Sequence, residues 1–374
     1  MKILILSCNT GGGHNTAAKS IKEVFDRQGD FCIIKDALAF GSQIASDLVC
    51  DSYVEIVKNH PNLFGNFYEL GKRTGQYNAA EKNIRSPIYI INTFYAKSLE
   101  KYITEEKFDA IICTHFFPAE ALTHLKKHER LNIPFYFVAT DYSCSPMLEE
   151  TMPSKIFVPH EDCLNFFIER GIPEDKLIVT GIPVGQNFTV EKDKKEARAE
   201  LGLPLDKKIL LIMTGSMGFG DTEEMTKDIL AKADENTCIV VVTGSNKELY
   251  EDITENLGSD SRLIVLGFTD KIYLYMSASD IFLSKPGGLS STEALVKCIP
   301  IVHTAPIPGC ESENVEFFTK HHLSLCAENT KDAAVQAIRL LKDDFLRNQI
   351  REAQRHYKYE NSAMEIVRYV KKLS

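Results

Sequence analysis

Short apolar runs alternate with stretches of helical spacing along almost the whole chain. Uninterrupted apolar runs bounded by turns predict strands that are buried on both faces. One series lies at 2–7, 31–36, 110–115, 135–140 and 155–159, and a second at 208–215, 238–244, 262–267, 281–285 and 299–304. Helices are predicted between them at 15–28, 160–171, 222–234 and 289–298. This alternation predicts an α/β protein with parallel sheets covered by helices on both faces.

The two series indicate two domains. A charged segment at 190–208 lies between them, and the 374 residues are enough for two ordinary cores. We therefore predict one domain at 1–187 and a second at 188–356. The closing stretch 345–373 has helical spacing. We expect residues 357–374 to return to the first domain as a helix.

Composition excludes several classes of protein. The formal net charge of −9 argues against nucleic acid as a partner, because phosphate binding favours a basic surface. No apolar run is long enough to span a bilayer, and the apolar stretch Ile3–Leu6 is too short for a lipoprotein signal, so a buried first strand is predicted. The ten cysteines form no C-x-x-C pair, which argues against zinc and favours reduced thiols in a cytoplasmic protein.

The stretch SCNTGGGHNTAA, residues 7–18, follows the first strand and opens the first helix. Gly12 and Gly13 would let the backbone approach a ligand, and the helix amides favour an anion. A neutral His14 could take a proton from an attacking hydroxyl group. The same pattern also fits a helix-capping loop with an incidental histidine.

THFFPAEAL (114–122) and ATDYSCSP (139–146) close the third and fourth strands of the first series and deliver His115 and Asp141 to the same sheet edge. Asp141 could orient His14, contact a sugar hydroxyl group or cap a turn. The chain has no D-x-D motif and no acidic pair suited to magnesium. Chemistry on a diphosphate would then depend on backbone amides and helix dipoles.

The second series repeats the strand, glycine loop and helix. MTGSMGFGD (213–221) and SKPGGLSSTEALVKC (284–298) each follow a strand, and the second brings Glu293 one turn into a helix. This layout suits a diphosphate at the helix N-terminus and a ribose held by the acid. Alternatively, Glu293 is simply an acid near a helix N-terminus, where the helix dipole favours negative charge. The glycine loops at 7–18 and 213–221 each follow the first strand of a series, and together they predict a ligand held between the domains.

Residues 61–105 mix aromatic and cationic side chains. This mixture is compatible with an interfacial membrane surface, whereas spacing alone favours an ordinary helical layer with buried aromatics.

Five motifs in order carry a resemblance to a known family: TGGGH at 10–14, TDYSCSP at 140–146, TGIPV at 180–184, SKPGGLSSTEA at 284–294 and PIPGCESEN at 306–314. The chain resembles the family-28 glycosyltransferases of the GT-B fold, in the branch of bacterial processive diacylglycerol glucosyltransferases and plant monogalactosyldiacylglycerol synthases. The resemblance covers essentially the whole chain. It implies two Rossmann-like, doubly wound parallel-sheet domains facing a central cleft.

The resemblance implies that the second domain binds a UDP-sugar. Glu293 would hold the ribose, the backbone of Phe268 and Thr269 would contact the uracil, and Glu311 would contact sugar hydroxyl groups. The diphosphate would lie at Gly215, Ser216, Gly288, Leu289 and Ser290. Cys310 stands where relatives usually carry glutamine, and a thiol is a poor substitute for an amide. The choice between glucose and galactose therefore stays open.

For the first domain, the resemblance implies that His14 is the base toward the acceptor hydroxyl group, with Asp141 and His115 nearby. The acceptor would be diacylglycerol, and the product a β-glycoside formed by inversion without metal or cofactor. The resemblance also implies that residues 61–105 form the lipid-facing segment. Its residues would be Phe64, Phe67, Tyr68, Arg73 and Tyr89, with Gly12 and Gly13 at the acceptor. The protein would lie in the cytoplasm, peripherally on the anionic inner face of the cell membrane.

Two alternatives keep part of this interpretation. One is a UDP-GlcNAc-dependent transferase acting on a lipid-linked peptidoglycan precursor, which a test of acceptors would separate. The other is a catalytically silent UDP-sugar sensor, which would bind UDP without turnover. The number of sugars added and the oligomeric state are not predicted.

Overall fold

The computed structural model of the chain describes residues 1–9, 12–41, 86–214 and 222–374. These residues form two compact units. The first contains Met1–Gly185, Ile307–Cys310 and Asn361–Ser374, and the second contains Gln186–Pro306 and Glu311–Glu360. Each unit is built around its own parallel sheet of six strands.

The sheet of the first unit has the strand order β2-β1-β3-β4-β5-β6. Its strands β1 to β6 are Lys2–Ser7, Phe31–Asp36, Ala110–Cys113, Phe135–Val138, Lys155–Val158 and Leu177–Val179. Its helices α1 to α5 are Gly12–Arg27, Pro87–Thr93, Ala96–Glu106, Phe116–Lys127 and Leu164–Ile168. All its neighbouring strands are parallel, and apolar side chains such as Ile3 and Ile5 are fully buried at its centre. Burial on both faces explains why these strands are apolar without alternation.

The sheet of the second unit has the order β12-β11-β10-β7-β8-β9. Its strands β7 to β12 are Lys208–Met213, Thr237–Val242, Leu263–Leu266, Ile281–Ser284, Ile301–His303 and Ser324–Cys326. Its helices α6 to α14 are Gln186–Thr189, Lys194–Leu201, Thr222–Lys232, Lys247–Leu257, Ile272–Ala278, Gly288–Val296, Cys310–Lys320, Thr330–Lys342 and Asp344–Tyr357. The last helix, α15 (Ser362–Leu373), belongs to the first unit, where Ile366, Val367 and Val370 join the core that contains Ile3 and Phe25.

The predicted α/β class with two parallel sheets is confirmed, and β1 is a buried strand as expected. Other details differ from the sequence prediction. Strands β6 and β12 were missed because each has three residues that are largely only half-buried, so their apolar signal is short. The helix predicted at 160–171 is shorter, and the closing stretch is two helices separated at 358–361.

In each sheet, the strand order shows the position at which the direction of winding reverses. Strand β1 lies between β2 and β3, and β7 lies between β8 and β10, so the chain winds outward in opposite directions from each of these strands. Ligands of open α/β sheets bind at the carboxyl ends of strands where the winding reverses. In this chain the carboxyl ends of β1 and β3 lie side by side there in the first unit, and those of β7 and β10 in the second.

Candidate functional site

His14 lies in the first turn of α1, directly beyond the carboxyl end of β1. Its Nδ1 atom is 2.7 Å from the carbonyl oxygen of Thr114 and 3.0 Å from Oγ1 of Thr140. A carbonyl oxygen can only accept a hydrogen bond, so Nδ1 carries the proton. In the neutral ring this leaves the lone pair on Nε2. The residues that follow β3 and β4 therefore fix both the orientation and the tautomer of His14.

The surroundings of His14 favour its neutral form. Burial lowers its pKa from the ordinary 6.5, while the negative charge of Asp141 and the hydrogen bond to Thr114 offset part of that effect. Burial disfavours the imidazolium because a charge loses hydration, and a nearby carboxylate favours it. Asp141 can therefore stabilise the positive charge that appears when His14 takes a proton.

His115 packs beside His14. Its Nδ1 atom accepts the backbone N–H of Phe117 at 3.2 Å and so caps α4. The centroids of the two imidazole rings are 4.7 Å apart in an edge-to-face arrangement. Burial, and then the neighbouring His14, hold the pKa of His115 well below its ordinary value. His115 is thus a neutral neighbour that limits how the His14 ring can move.

The structure places Tyr89 in the interior of the first unit. Its buried ring lies 6.5 Å from that of His124 on α4. The neighbouring Ile90, Ile91 and Phe94 are instead exposed, at 54%, 58% and 80%. The other residues expected to face lipid lie outside the described residues: Phe64, Phe67, Tyr68 and Arg73. No helix among the residues that the structure describes is long and apolar enough to span a membrane.

In the second unit, the loop after β10 leads into α11. Ser284 Oγ donates to the carbonyl oxygen of Met213 at 2.7 Å and so ties the end of β10 to the end of β7. Gly287 caps the helix with φ −73° and ψ 137°, a conformation open to any residue. A Cβ atom added to Gly287 would meet no atom of the described residues within 4 Å. The part of the chain that the structure describes therefore leaves room for a ligand beside this helix N-terminus.

Glu293 lies in α11, less than two turns from Gly287. The residue is only 6% exposed, and its carboxylate makes no hydrogen bond or ion pair to any described residue. Burial raises its pKa to about 8. Buried polar groups normally have partners, so an unpaired acid in this position fits a ligand that supplies hydroxyl groups.

Two further contacts position α11. The fully buried His303 lies 2.9 Å from Ser291 Oγ through Nε2 and 3.0 Å from Ser324 Oγ through Nδ1. Burial lowers the pKa of His303 to about 3, so the ring is neutral, with one nitrogen as donor and one as acceptor. Ser290 is half-buried in the first turn, whereas the side chain of Leu289 is buried.

The loop before α11 is also held by α12. Lys285 Nζ is 3.0 Å from Glu311 Oε1, and Asn314 Nδ2 donates to the carbonyl oxygen of Pro286 at 3.0 Å. Cys310 is the first residue of α12 and is half-buried. The structure therefore brings Glu311 to the same loop that opens α11.

Four other residues are predicted to contact the donor. The ring of Phe268 projects into solvent after β9, and Thr269 Oγ1 accepts the backbone N–H of Lys271 at 3.1 Å. Gly215 and Ser216 lie outside the described residues.

Two family models match the chain. The monogalactosyldiacylglycerol (MGDG) synthase model matches residues 14–184, and the model of glycosyl transferases group 1 matches residues 193–357. A processive diacylglycerol beta-glucosyltransferase of Bacillus cereus (strain G9842) is 29% identical over 98% of this chain and 92% of its own length. The chain is a glycosyltransferase. The enzyme of the same name from Bacillus mycoides (strain KBAB4) is 29% identical over 94% and 88% of the two chains.

Solved structures show that the enzyme has the GT-B fold. MurG of Acinetobacter baumannii superimposes with a TM-score of 0.63 over 99% of both chains, at 13% identity. The complex of Staphylococcus aureus MnaA with UDP gives a TM-score of 0.66 over 99% of this chain and 96% of the other, at 16% identity.

Sequence reasoning assigns no role to two residues that contact α11 or the loop before it. His303 has the pattern of an ordinary strand end, and Lys285 is only part of a motif. No pattern in the sequence shows that His303 is enclosed by two serines. Lys285 could have been found, because a cation directly after a strand and before a glycine-opened helix is suited to phosphate.

Proposed function

We propose that this enzyme transfers glucose from UDP-glucose to diacylglycerol and forms a β-glucosyldiacylglycerol with inversion at the anomeric carbon. The observation that carries the proposal is His14, whose Nδ1 is fixed by Thr114 and Thr140 so that Nε2 can accept a proton. The names of the relatives support the acceptor and the sugar. They do not favour the peptidoglycan precursor or the silent sensor.

In the proposed reaction, His14 Nε2 takes the proton of the diacylglycerol hydroxyl group. The hydroxyl oxygen forms a bond to the anomeric carbon, and the bond from that carbon to the β-phosphate oxygen breaks, its electron pair leaving with UDP. Attack from the face opposite the leaving group converts an α-linked donor into a β product. Asp141 stabilises the imidazolium of His14 through its charge.

On the donor side, the amides at the start of α11 face the diphosphate beside the open space at Gly287. The unpaired carboxylate of Glu293 accepts hydrogen bonds from the ribose hydroxyl groups. No metal takes part in the proposed step.

The enzyme reaches its acceptor by peripheral contact with an anionic membrane. Ile90, Ile91 and Phe94 present apolar side chains to solvent, and the exposed Lys97 and Lys127 lie on the adjoining helices. Lys127 Nζ is 5.8 Å from the centroid of the Tyr89 ring, which places a cation beside this helix. Apolar side chains with nearby cations suit the interface of a bilayer that carries anionic lipids.

The test is transfer of radiolabelled sugar to diacylglycerol in anionic vesicles with EDTA present. UDP-glucose and UDP-galactose serve as donors, and a lipid-linked peptidoglycan precursor with UDP-GlcNAc forms a separate arm. We expect labelled diacylglycerol from UDP-glucose and none with His14→Ala. Label only on the peptidoglycan precursor, or UDP binding without any transfer, would contradict the proposal.

Membrane contact has its own test. Phe94→Glu should reduce flotation with anionic vesicles about tenfold, because a charge replaces apolar area in the interface. Phe345→Glu is the matched control, since this phenylalanine of the second unit is 73% exposed. Equal flotation of the two variants would show that the surface around α2 does not contact lipid.

A further inference from the structure

A departing nucleoside diphosphate develops negative charge that a metal-free enzyme must neutralise with its own groups. The stretches expected to face the donor are 213–221, 267–271, 284–294 and 306–314. They contain two cationic side chains, Lys271 and Lys285, and no arginine. Lys271 is exposed to solvent at the start of α10. Lys285 is therefore the cation to consider.

Lys285 occupies a special position in the sheet. It directly follows β10, which pairs with β7 at the point where the winding of the second sheet reverses. Two residues later, Gly287 caps α11 beside open space. A cation at this point adds its full charge to the partial positive charge of the helix N-terminus.

The side chain of Lys285 is held in place before any ligand arrives. Its ammonium group lies 3.0 Å from Oε1 of Glu311, and the two side chains are 24% and 9% exposed. The next residue, Pro286, accepts a hydrogen bond from the buried Asn314 of the same helix. Two successive residues of the loop are thus fixed to α12, which reduces the entropy lost when the ammonium group binds an anion.

We propose that Lys285 is a catalytic residue that contacts the diphosphate of the donor and neutralises the charge of UDP as it leaves. This inference rests on the proposed function. The electron pair of the broken bond goes to the β-phosphate oxygen, and the ammonium group keeps its proton and pairs with that oxygen. Glu311 positions the ammonium group through the ion pair.

The experiment compares Lys285→Met with Lys285→Arg, and with Lys320→Met as the control. Lys320 is exposed at the opposite end of α12, so its replacement changes net charge equally without touching the loop. Affinities for UDP, UMP and uridine are measured by titration calorimetry, and kcat and KM by transfer to diacylglycerol. We expect Lys285→Met to weaken UDP binding about ten- to a hundredfold and to leave uridine binding unchanged.

Lys285→Arg should recover much of the UDP affinity because it keeps the charge, and kcat should fall with Lys285→Met and recover with arginine. Equal losses for UDP and uridine would overturn the proposal, since they would indicate a structural role. Unchanged UDP affinity and kcat with Lys285→Met would overturn it as well. If the unmodified enzyme bound no UDP, the proposed function itself would fail, which is a separate result.

Discussion

The two units each place a titratable side chain in a helix that follows a central strand, but they treat it in opposite ways. In the first unit, His14 has two hydrogen-bonding partners on Nδ1 and a lowered pKa. In the second, Glu293 has no partner among the described residues and a pKa raised to about 8. Burial therefore favours the neutral form of both groups near pH 7, the imidazole of His14 and the protonated carboxyl group of Glu293.

The difference indicates two kinds of preparation for chemistry. Thr114 and Thr140 hold Nδ1 of His14, so the lone pair on Nε2 points in a set direction before the acceptor binds. Glu293 is only 6% exposed and makes no side-chain hydrogen bond to another described residue, so its carboxyl group is available to a ligand with hydroxyl groups. In the proposed function, the first unit serves proton transfer and the second serves recognition of the donor.

The largest effect should come from the base itself. We expect His14→Ala to lower kcat by about a hundred- to ten-thousandfold, the usual contribution of a positioned general base. UDP affinity should not change, because His14 belongs to the first unit. The checks are kcat from transfer of labelled glucose and the Kd of UDP by calorimetry. A parallel loss of UDP affinity would refute the assignment of the two roles to separate units.

Replacing the unpaired acid should have the next largest effect. Glu293→Ala should weaken both UDP and uridine about ten- to a hundredfold, since hydrogen bonds from the ribose to a charged acceptor are lost. Because the carboxylate accepts better than the acid, UDP affinity should rise from pH 6 to about pH 8, where Glu293 ionises. Glu293→Gln removes that group's titration and is the control for ionisation of the nucleotide phosphate.

Ionisation of Glu293 should affect stability in the opposite direction to UDP affinity. The folded pKa of about 8 lies above the ordinary 4.5, so the folded state binds more protons and loses stability as pH rises from about 4.5 to 8. Without ligand at pH 8, Glu293→Gln should raise the free energy of unfolding by on the order of 4 kcal/mol. Urea unfolding at pH 5 and pH 8 measures this gain, which should be small at pH 5.

Much of this comparison can be anticipated from sequence, and some cannot. Uninterrupted apolar strands such as Lys2–Ser7 and Thr237–Val242 predict parallel sheets because burial on both faces leaves a strong local signal. The short strand Ser324–Cys326 lacks that signal. His14 and Glu293 can be proposed from their glycine-rich surroundings. Their partners cannot, since Thr114 and Thr140 are a hundred or more residues away from His14.

The side chain of Tyr89 illustrates the same limit. Aromatic composition groups it with residues expected to face lipid, but the structure buries it against α4 and exposes Ile90 and Ile91 beside it. Which side of a short helix faces the core depends on the helix that packs against it, and a pattern with apolar residues on all sides does not reveal this.

Filling the open space in the second unit should have an intermediate effect. Gly287→Ala should weaken UDP binding about tenfold, because the new methyl group occupies space beside the helix amides. This loss of affinity is similar to that from removing one hydrogen bond to a charged group. The fold should tolerate it, since φ is ordinary and no atom of the described residues lies within 4 Å of the added Cβ. Gly12→Ala is the matched control, because its Cβ also meets no atom within 4 Å but lies in the first unit. Equal UDP affinities of both variants would argue against a ligand at α11.

The smallest effect should come from loosening His14 without removing it. Thr140→Val keeps the shape but removes the hydroxyl acceptor near Nδ1, so His14 keeps one partner, the carbonyl of Thr114. We expect kcat to fall about three- to tenfold with KM unchanged, the loss of one neutral hydrogen bond that strengthens as the imidazolium forms.

The pH profile separates this effect from general damage. Oγ1 of Thr140 accepts a hydrogen bond that is stronger from the imidazolium than from the neutral ring. Its removal should therefore lower the pKa of His14 further and move the acid limb of kcat/KM to lower pH. Thr140→Ser should restore both the rate and the limb because it restores the acceptor. A valine variant with reduced kcat and an unmoved acid limb would indicate that Thr140 supports the fold of the loop and not the tautomer of His14. The contrast between His14, which has partners on Nδ1, and Glu293, which has none among the described residues, would then depend on Thr114 alone.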